Sequence, residues 1–305
     1  MIVTMAGCGA LGSLIAARLI EGGVEVQAFQ RRGAQLQALR ENGITIEADR
    51  TGTTRNFRLA AVSDDPADLM SSRLIIVLVK SYSTEGVYPV EEILEEDGVV
   101  LSLQNGLGNP EVLARLFGEA SVAAGVATYG AYRLSPGVIH WGGDGWIRWG
   151  PWKAGVDMSW VDDLLTEAGL NATYMEDPRP AIWRKLVINA MVNTTAALTG
   201  MKNAELLASP IVLQMMRKLG QETVAAAMRA GVALDFKDLW AMHLENLERT
   251  AANRPSMLQD VEAGRQTEID AISGGVLGYA LDEAEFPYTR SVYALLKAID
   301  VQRGY

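Results

Sequence analysis

A lysine and two asparagines recur every four residues in an otherwise apolar stretch of the C-terminal half. Lys185, Asn189 and Asn193 stand at i, i+4 and i+8, which places them on one face of a helix. The residues around them are apolar and would bury that helix, and buried polar groups are costly unless they are paired. We interpret the three side chains as a polar stripe that faces a ligand. A stripe that merely faces solvent is the alternative.

The chain offers few other groups for proton transfer or metal binding. It contains one cysteine, Cys8, and two histidines, His140 and His243. A single cysteine excludes an intramolecular disulfide and a multi-cysteine zinc site, and two histidines make a histidine-based metal centre a weak hypothesis. We therefore predict no metal site, and lysine is left as the credible proton donor.

A second polar segment begins at Asn253 and leads into a predicted helix over Ser256–Tyr279. Ser256 has the position of a helix N-cap, and Gln259 has the spacing of its capping-box partner. That structural role alone would explain a serine at this position.

Further along the same predicted helix, Glu268 and Asp270 flank Ile269. Residues two apart on a helix point to different faces, so only one of the two carboxylates can face Lys185. The spacing by itself does not choose between them.

A glycine-rich segment near the N-terminus matches the pattern G-x-G-x-x-G. Its six residues are Gly7, Cys8, Gly9, Ala10, Leu11 and Gly12. The segment follows a predicted strand and opens a predicted helix, which is the context of a dinucleotide-binding turn. We predict that these residues bind the cofactor phosphates at the helix N-terminus, with Cys8 a small residue that fits and not a nucleophile. A turn without a ligand is the alternative.

The end of the next predicted strand indicates which dinucleotide binds. NAD-dependent enzymes usually carry a carboxylate there, whereas this chain reads Phe29-Gln30-Arg31-Arg32. A guanidinium suits the 2′-phosphate of NADP(H), and a carboxylate would repel it. We predict NADP(H) as the cofactor, with Arg31 as first contact and Arg32 as a helper. A solvated basic pair is the alternative.

Lys80 and Asn105 follow the ends of two further apolar runs. Ligands of an open α/β sheet bind beyond the carboxyl ends of its strands, so both side chains are candidates. We expect Lys80 to contact the cofactor or an anionic substrate, and Asn105 to bind the nicotinamide side or the substrate. The alternatives are a surface charge at Lys80 and an Asn-Gly turn at Asn105.

The apolar pattern of the first half predicts an α/β domain. Apolar runs alternate with helical patterns, which is typical of a doubly wound parallel sheet of Rossmann type. We expect the tryptophan-rich stretch Tyr129–Trp152 to add antiparallel hairpin strands to this sheet. Its tryptophans are interpreted as core or interface residues, with stacking on a ligand as the alternative.

The second half is predicted to be entirely helical from Ala181 onward, and Pro178 and Pro180 mark the boundary. We predict an NADP-binding Rossmann-type domain at residues 1–178. An all-α domain that binds substrate and carries the catalytic residues is predicted at residues 179–305.

Charge and hydropathy limit the partners. The 305 residues carry a net charge of −10, and all of the acidic excess lies before residue 178. A polyanion would be repelled there, so nucleic acid is not an expected partner. The chain has no run of about 18 apolar residues and no signal-peptide pattern. We therefore expect a cytoplasmic protein without a membrane segment, and a homodimer is possible.

Several motifs, in order along nearly the whole chain, resemble the ketopantoate reductase (2-dehydropantoate 2-reductase) family. They are GCGALG, Arg31, LVKSYS around Lys80, QNGLGN around Asn105, WRKLVINAMVN around Lys185, and PSMLQD with TEID around Ser256 and Glu268. The resemblance implies a Rossmann-type domain followed by a helical domain. It also implies reduction of ketopantoate to pantoate by NADPH, a step toward pantothenate and coenzyme A.

The resemblance also assigns roles to single residues. It makes Lys185 the general acid that protonates the carbonyl oxygen, and Glu268 the carboxylate that positions substrate and tunes the lysine. Substrate polar groups would be held by Asn105, Asn189, Asn193, Asn253 and Ser256, with Asn203 a weaker candidate; Lys80 and Asn105 would contact the cofactor.

Two other functions stay open. A related reductase of another small 2-oxo acid would use the same Lys185 chemistry, and the segment around Tyr129–Trp152 matches the family only loosely. A cofactor-sensing protein without turnover would need only the glycine segment and Arg31, so the remaining polar set argues against it.

Overall fold

Residues 1–47 and 52–305 are described in the computed structural model, and they divide into two units. The first unit comprises Met1–Gln104 and Asn109–Pro178. The second comprises Arg179–Tyr305 together with the short segment Asn105–Gly108. The Asn-Gly segment thus groups with the helical unit, although it lies within the α/β half of the sequence.

The first unit alternates strands and helices, as the apolar pattern predicts. Its elements in chain order are β1 (Ile2–Ala6), α1 (Ala10–Glu21), β2 (Glu25–Phe29), α2 (Ala34–Asn42), β3 (Ile44–Glu47), β4 (Arg55–Phe57), β5 (Val62–Ser63), β6 (Ser72–Val77), β7 (Leu94–Ser102), α3 (Asn109–Phe117), β8 (Val122–Ala127), β9 (Gly130–Ser135), β10 (Val138–Gly143), β11 (Ile147–Pro151), α4 (Ser159–Glu167) and β12 (Ala172–Tyr174).

The main sheet has eight strands in the order β12-β11-β8-β7-β6-β1-β2-β5. Strands β1, β2, β5, β6, β7 and β8 run parallel to one another, and β11 pairs antiparallel with β8. The central strands are apolar on both faces, and Ile75 and Ile76 of β6 are fully buried. The predicted doubly wound parallel sheet is confirmed, and β11 is the strand of the Tyr129–Trp152 stretch that joins it as an antiparallel neighbour.

The β9–β10 hairpin differs from the prediction, because it does not join the main sheet. It forms a second sheet of order β4-β3-β10-β9, in which β10 runs parallel to β3 and antiparallel to β9. Ile139 of β10 and Ile46 of β3 share a core with Leu14 of α1. The apolar face of the small sheet thus packs on α1, a long-range contact that strand periodicity does not encode.

The tryptophans of this region play different parts. Trp149 of β11 is fully buried and its indole N–H donates to Asp162 Oδ1 at 3.0 Å, which makes it a core residue. Trp146 is exposed and lies under the guanidinium of Arg148, 4.9 Å from ring centroid to Cζ. The core interpretation therefore holds for Trp149.

The second unit is helical, as predicted. Its elements are α5 (Arg179–Thr199), α6 (Asn203–Ala208), α7 (Pro210–Arg229), α8 (Phe236–Arg249), α9 (Ser256–Glu262), a π-helical turn (Asp270–Gly274), α10 (Gly275–Leu277) and α11 (Pro287–Gln302). Across the described residues of both units, no helix is long and apolar enough to cross a membrane.

The single helix predicted over Ser256–Tyr279 is wrong, because it breaks after Glu262. Gly264 takes a positive φ of 64°, and the Arg265 N–H turns back to the Asp260 carbonyl at 2.8 Å. This is the usual way in which a glycine ends a helix. Glu268 therefore lies on irregular backbone, outside α9.

The capping box predicted at the start of α9 is also wrong. Pro255 is the N-cap residue, and Ser256 is already inside the helix with no side-chain cap. The Gln259 side chain donates instead to the Arg254 carbonyl at 2.8 Å. The hydroxyl of Ser256 is exposed and makes no hydrogen bond to any described residue.

Candidate active site

The glycine segment lies at the carboxyl end of β1, between the ends of β2 and β6. Gly7 has a φ of +97°, and a Cβ there would come within 2.7 Å of the Val79 backbone nitrogen. A Cβ on Gly12 would lie 2.1 Å from the Gly7 carbonyl oxygen. Both positions therefore require glycine, one for the turn and one for the packing of α1 against it.

The turn between these glycines is held by side chains that sequence reasoning missed. The Cys8 N–H donates to Gln30 Oε1 at 2.9 Å, and the Cys8 carbonyl accepts from Gln35 Nε2 at 2.7 Å and from the Ser13 hydroxyl at 3.2 Å. Burial raises the pKa of the Cys8 thiol to about 12, so the sulfur stays protonated. Cys8 is therefore a structural residue of the turn and carries no thiolate.

The geometry of this turn fits a pyrophosphate. A Cβ on Gly9 would meet nothing within 4 Å, so the backbone there borders open space. Gly9 is the N-cap of α1, which has neither a side-chain cap nor an acidic residue in its first turn. Unpaired N–H groups and the positive end of the helix dipole are thus left for an anion.

Arg31 and Arg32 differ in what they contact at the end of β2. Arg32 forms an ion pair with Asp64, which lowers the pKa of that carboxyl. Arg31 is exposed and has no hydrogen bond or ion pair among the described residues. Arg31 is therefore the guanidinium that is free to take a phosphate.

Lys80 begins a short turn after β6 and is half-buried. The loop around it is fixed by Gln104, whose side-chain amide donates to the Val79 carbonyl at 3.0 Å and to the Thr84 hydroxyl at 2.8 Å. Thr84 in turn donates to Asn109 Oδ1 at 2.9 Å. The predicted site residues did not include Gln104 or Asn109, although both belong to the QNGLGN motif that contains Asn105.

The predicted polar stripe lies on α5. Lys185 and Asn189 are half-buried and Asn193 is 6% exposed, whereas Leu186 and Met191 between them are fully buried. The amides of Asn189 and Asn193 make no hydrogen bond to any described residue. Two partly buried amides without protein partners favour a ligand on this face.

Glu268 and Asn105 lie beside this stripe. The Asn105 side-chain amide is 3.5 Å from Glu268 Oε2, and the Glu268 carboxylate acts electrostatically on Lys185. Glu268 is 6% exposed, so its charge is poorly screened by water. The structure thus gathers Lys185, Glu268 and Asn105, and Asp270 points elsewhere, to Tyr293 and Lys297.

The position of Asn105 depends on the glycine that follows it. Gly106 has a φ of +83°, and a Cβ there would lie 2.6 Å from Ala271. The next residue, Leu107, donates its N–H to the Ala271 carbonyl at 2.8 Å. Asn105 and Gly106 thus form a turn, and this turn packs against the segment that contains Glu268.

The environment of Lys185 changes its acidity. Desolvation lowers the pKa of Lys185 from 10.5 to about 8, and the charge of Glu268 partly opposes that shift. An ammonium group with a pKa of about 8 is largely protonated at neutral pH and gives up its proton far more readily than an ordinary lysine. That is the property expected of a general acid.

The remaining candidates lie around the start of α9. Asn253 and Ser256 are exposed, and neither side chain bonds to a described residue. Asn203 is buried and has a structural role, because its amide donates to the Thr250 hydroxyl at 2.8 Å and to the Thr250 carbonyl at 3.2 Å. Helix α9 packs on α5 through Met257, which shares a core with Leu186.

Comparison with known proteins places the chain in a family. The ketopantoate reductase PanE/ApbA model matches residues 3–154, and the model of the C-terminal part of that family matches residues 177–300. The 2-dehydropantoate 2-reductase of Archaeoglobus fulgidus is 34% identical over 279 residues, or 90% of this chain and 89% of that protein. The chain belongs to the ketopantoate reductase family.

Solved structures of other proteins share this fold. A PanE/ApbA family ketopantoate reductase from Ralstonia eutropha JMP134 is 26% identical, with a TM-score of 0.88 over all of both chains. A D-mandelate dehydrogenase, solved with NADH and anilino(oxo)acetate, is 24% identical with a TM-score of 0.94 over all of both chains, which shows a common fold. The protein is an oxidoreductase that interconverts CH–OH and C=O groups and has an NAD(P)-binding fold of Rossmann type.

Proposed function

We propose that this protein reduces 2-dehydropantoate to pantoate with NADPH, in the biosynthesis of pantothenate and coenzyme A, and that Lys185 is the general acid. The observation that carries the proposal is the half-buried Lys185 beside the Glu268 carboxylate, with a pKa of about 8, in a chain of the ketopantoate reductase family.

In this reaction the protein has to orient the substrate and protonate its carbonyl oxygen. When bound, NADPH would supply a hydride to the carbonyl carbon, and negative charge would then develop on the carbonyl oxygen. The Lys185 ammonium group delivers a proton to that oxygen, and Glu268 holds the lysine and a substrate hydroxyl in place.

The substrate carboxylate and its other polar groups need donors. The partnerless amides of Asn189 and Asn193 supply them on the Lys185 face of α5. Ser256 and Asn253 supply a hydroxyl and an amide at the start of α9, and Asn105 adds an amide beside Glu268. Hydrogen bonds from neutral groups orient a carboxylate without fixing a second charge near Lys185.

On the cofactor side, the proposal assigns phosphate binding to the N-terminus of α1 after Gly9, with Lys80 as a further contact. Gly7 and Gly12 shape the turn, and Cys8, Ala10 and Leu11 complete it. A cytoplasmic location and a homodimer remain predictions of the sequence.

The test of the proposal is NADPH oxidation by the purified protein with ketopantoate, beside a panel of other 2-oxo acids that includes aryl ones. The expected result is the highest kcat/KM with ketopantoate. A higher value with another 2-oxo acid would move the protein to a related reductase. NADPH binding without oxidation of any substrate would make it a cofactor-sensing protein.

Arg31 is expected to set the choice of NADPH over NADH. The Arg31→Ala variant should raise the KM for NADPH by about 10–100-fold, because hydrogen bonds to charged groups contribute about 1.5–3 kcal/mol. The KM for NADH should stay nearly unchanged, since NADH has no 2′-phosphate. Arg115→Ala, which removes an exposed arginine of the same unit, is the matched control. Equal losses with both cofactors, or a wild-type preference for NADH, would contradict this role of Arg31.

The pH dependence of reduction should follow the pKa of Lys185. The protonated lysine is the donor, so kcat/KM for reduction is expected to be level below pH about 8 and to fall above it. Oxidation of pantoate needs the neutral lysine and should rise through the same pH. A reduction profile that stays flat well above pH 8 would argue against lysine as the acid.

A further inference from the structure

Glu268 lies at a bend in the backbone, between helix α9 and the helical segment that follows it. Helix α9 ends at Glu262, and the π-helical turn begins only at Asp270. The Glu268 carbonyl accepts from the Ile272 N–H at 3.0 Å, which fixes its backbone, and the residues before it are irregular, so side-chain contacts help to fix where the carboxylate lies. Helix α11 supplies side-chain contacts on both sides of Glu268.

The residue before Glu268 is bonded to a buried carboxylate of α11. The Thr267 hydroxyl donates to Asp300 Oδ2 at 2.7 Å, and the Thr267 N–H lies 3.2 and 3.3 Å from the two carboxylate oxygens. Both residues are 1% exposed. A carboxylate this deeply buried is costly unless hydrogen bonds satisfy it, so Asp300 and Thr267 hold each other in one arrangement.

The residue two positions after Glu268 is bonded to the same helix. Asp270 Oδ1 accepts from the Tyr293 hydroxyl at 2.9 Å, and Asp270 Oδ2 accepts from Lys297 Nζ at 3.0 Å. Tyr293, Lys297 and Asp300 succeed one another along one side of α11. Three residues of one helix therefore fix the chain on both sides of Glu268.

We propose that α11 positions the Glu268 carboxylate, and that Thr267 and Asp300 are the positioning residues whose hydrogen bonds keep it beside Lys185 and Asn105. The inference rests on the role given to Glu268 in the proposed function. Neither Thr267 nor Asp300 is assigned any contact with substrate or cofactor, so they act through Glu268.

The position of Glu268 has a consequence for the acidity of Lys185. Burial lowers the pKa of Lys185, and the charge of Glu268 opposes that shift. If Glu268 is displaced, its opposing effect is lost and the pKa of Lys185 falls further. A loss of positioning should therefore move the pH midpoint of reduction downward. A general loss of stability would leave that midpoint where it is.

The test compares Thr267→Val, which removes the hydroxyl and keeps the shape, with Thr267→Ser, which keeps the hydroxyl. Thr267→Val should lower kcat on the order of 10–100-fold, as a displacement of about 1 Å in a catalytic group can. Its pH midpoint for kcat/KM should shift below that of the wild type. Thr267→Ser should restore both, and Asp300→Asn should behave like Thr267→Val.

The matched control is Thr289→Val at the other end of α11. Thr289 is also 1% exposed, and its hydroxyl donates to Glu222 Oε2 at 2.7 Å, the same length as the bond in question. The control should lower the melting temperature about as much as Thr267→Val, but should leave kcat and the pH midpoint near wild type.

The outcomes separate this inference from the proposed function. If Glu268→Gln impairs reduction while Thr267→Val and Asp300→Asn keep the wild-type kcat and pH midpoint, α11 is only structural and the inference is overturned. If Glu268→Gln itself has no effect on reduction, the role that the proposed function gives to Glu268 is contradicted. Should Asp300→Asn fail to fold, Thr267→Val and Thr267→Ser decide the matter by themselves.

Discussion

Replacing Lys185 by alanine is expected to lower kcat for ketopantoate reduction on the order of 10²–10⁴-fold, the usual contribution of a positioned general acid. The KM values for both ligands should change much less, because the ammonium group acts on charge that develops during the reaction. Steady-state kinetics of the purified variant at neutral pH measures the loss.

Two controls make this result specific. Arg184→Ala removes the neighbouring exposed cation of α5 and should leave kcat unchanged. A small primary amine added to Lys185→Ala should restore part of the rate, because the truncated side chain leaves room for a donor. Near-full turnover in Lys185→Ala would exclude the lysine as the proton donor.

The second large effect is expected from Glu268→Gln. This change keeps the shape of the side chain and removes its charge, and we expect kcat to fall on the order of 10², comparable to the loss of one preorganised group in an active site. Because Glu268 opposes the desolvation of Lys185, its neutralisation should also move the pKa of Lys185 below about 8. The pH profile of kcat/KM for reduction measures that shift.

The sign of the shift is what tests the pairing. Removing a negative charge disfavours the ammonium form, so the midpoint must move to lower pH and never to higher pH. Glu248→Gln, on the exposed face of α8, loses a charge of the same sign and should leave both kcat and the midpoint unchanged. A normal midpoint in Glu268→Gln would show that the two groups do not interact in the working enzyme.

Local patterns predicted the elements that carry the site. The glycine spacing, the apolar runs and the four-residue repeat of Lys185, Asn189 and Asn193 gave the β1–α1–β2 unit, the parallel sheet and helix α5. Each of these signals arises from neighbouring residues, since a turn, a strand or a helix face is defined over a few positions of the chain. The prediction of NADP(H) depends on a single position at the end of β2, where the chain has Arg31 and not a carboxylate.

The two wrong predictions about the fold have different causes, one local and one long-range. The helix over Ser256–Tyr279 is broken at Gly264, and periodicity alone does not distinguish a glycine inside a helix from one that ends it. The β9–β10 hairpin pairs with β3, about 90 residues earlier in the chain, and thereby leaves the main sheet. Strand pairing over such a distance is decided by the packing of apolar faces.

The sequence by itself determined which groups could do the chemistry: one lysine on a polar helix face, two carboxylates near Ile269, and a glycine turn followed by Arg31. Only the tertiary structure decided between the carboxylates. It ties Asp270 to Tyr293 and Lys297, and it brings Glu268 to Asn105 and Lys185.

The acidity of Lys185 likewise belongs to the folded chain. A lysine in water keeps a pKa near 10.5, and the value of about 8 arises because packed residues exclude water while one carboxylate opposes the shift. Residue spacing fixes the face on which a side chain lies. The surrounding packing fixes its partner and its charge, because both depend on atoms that are distant in sequence.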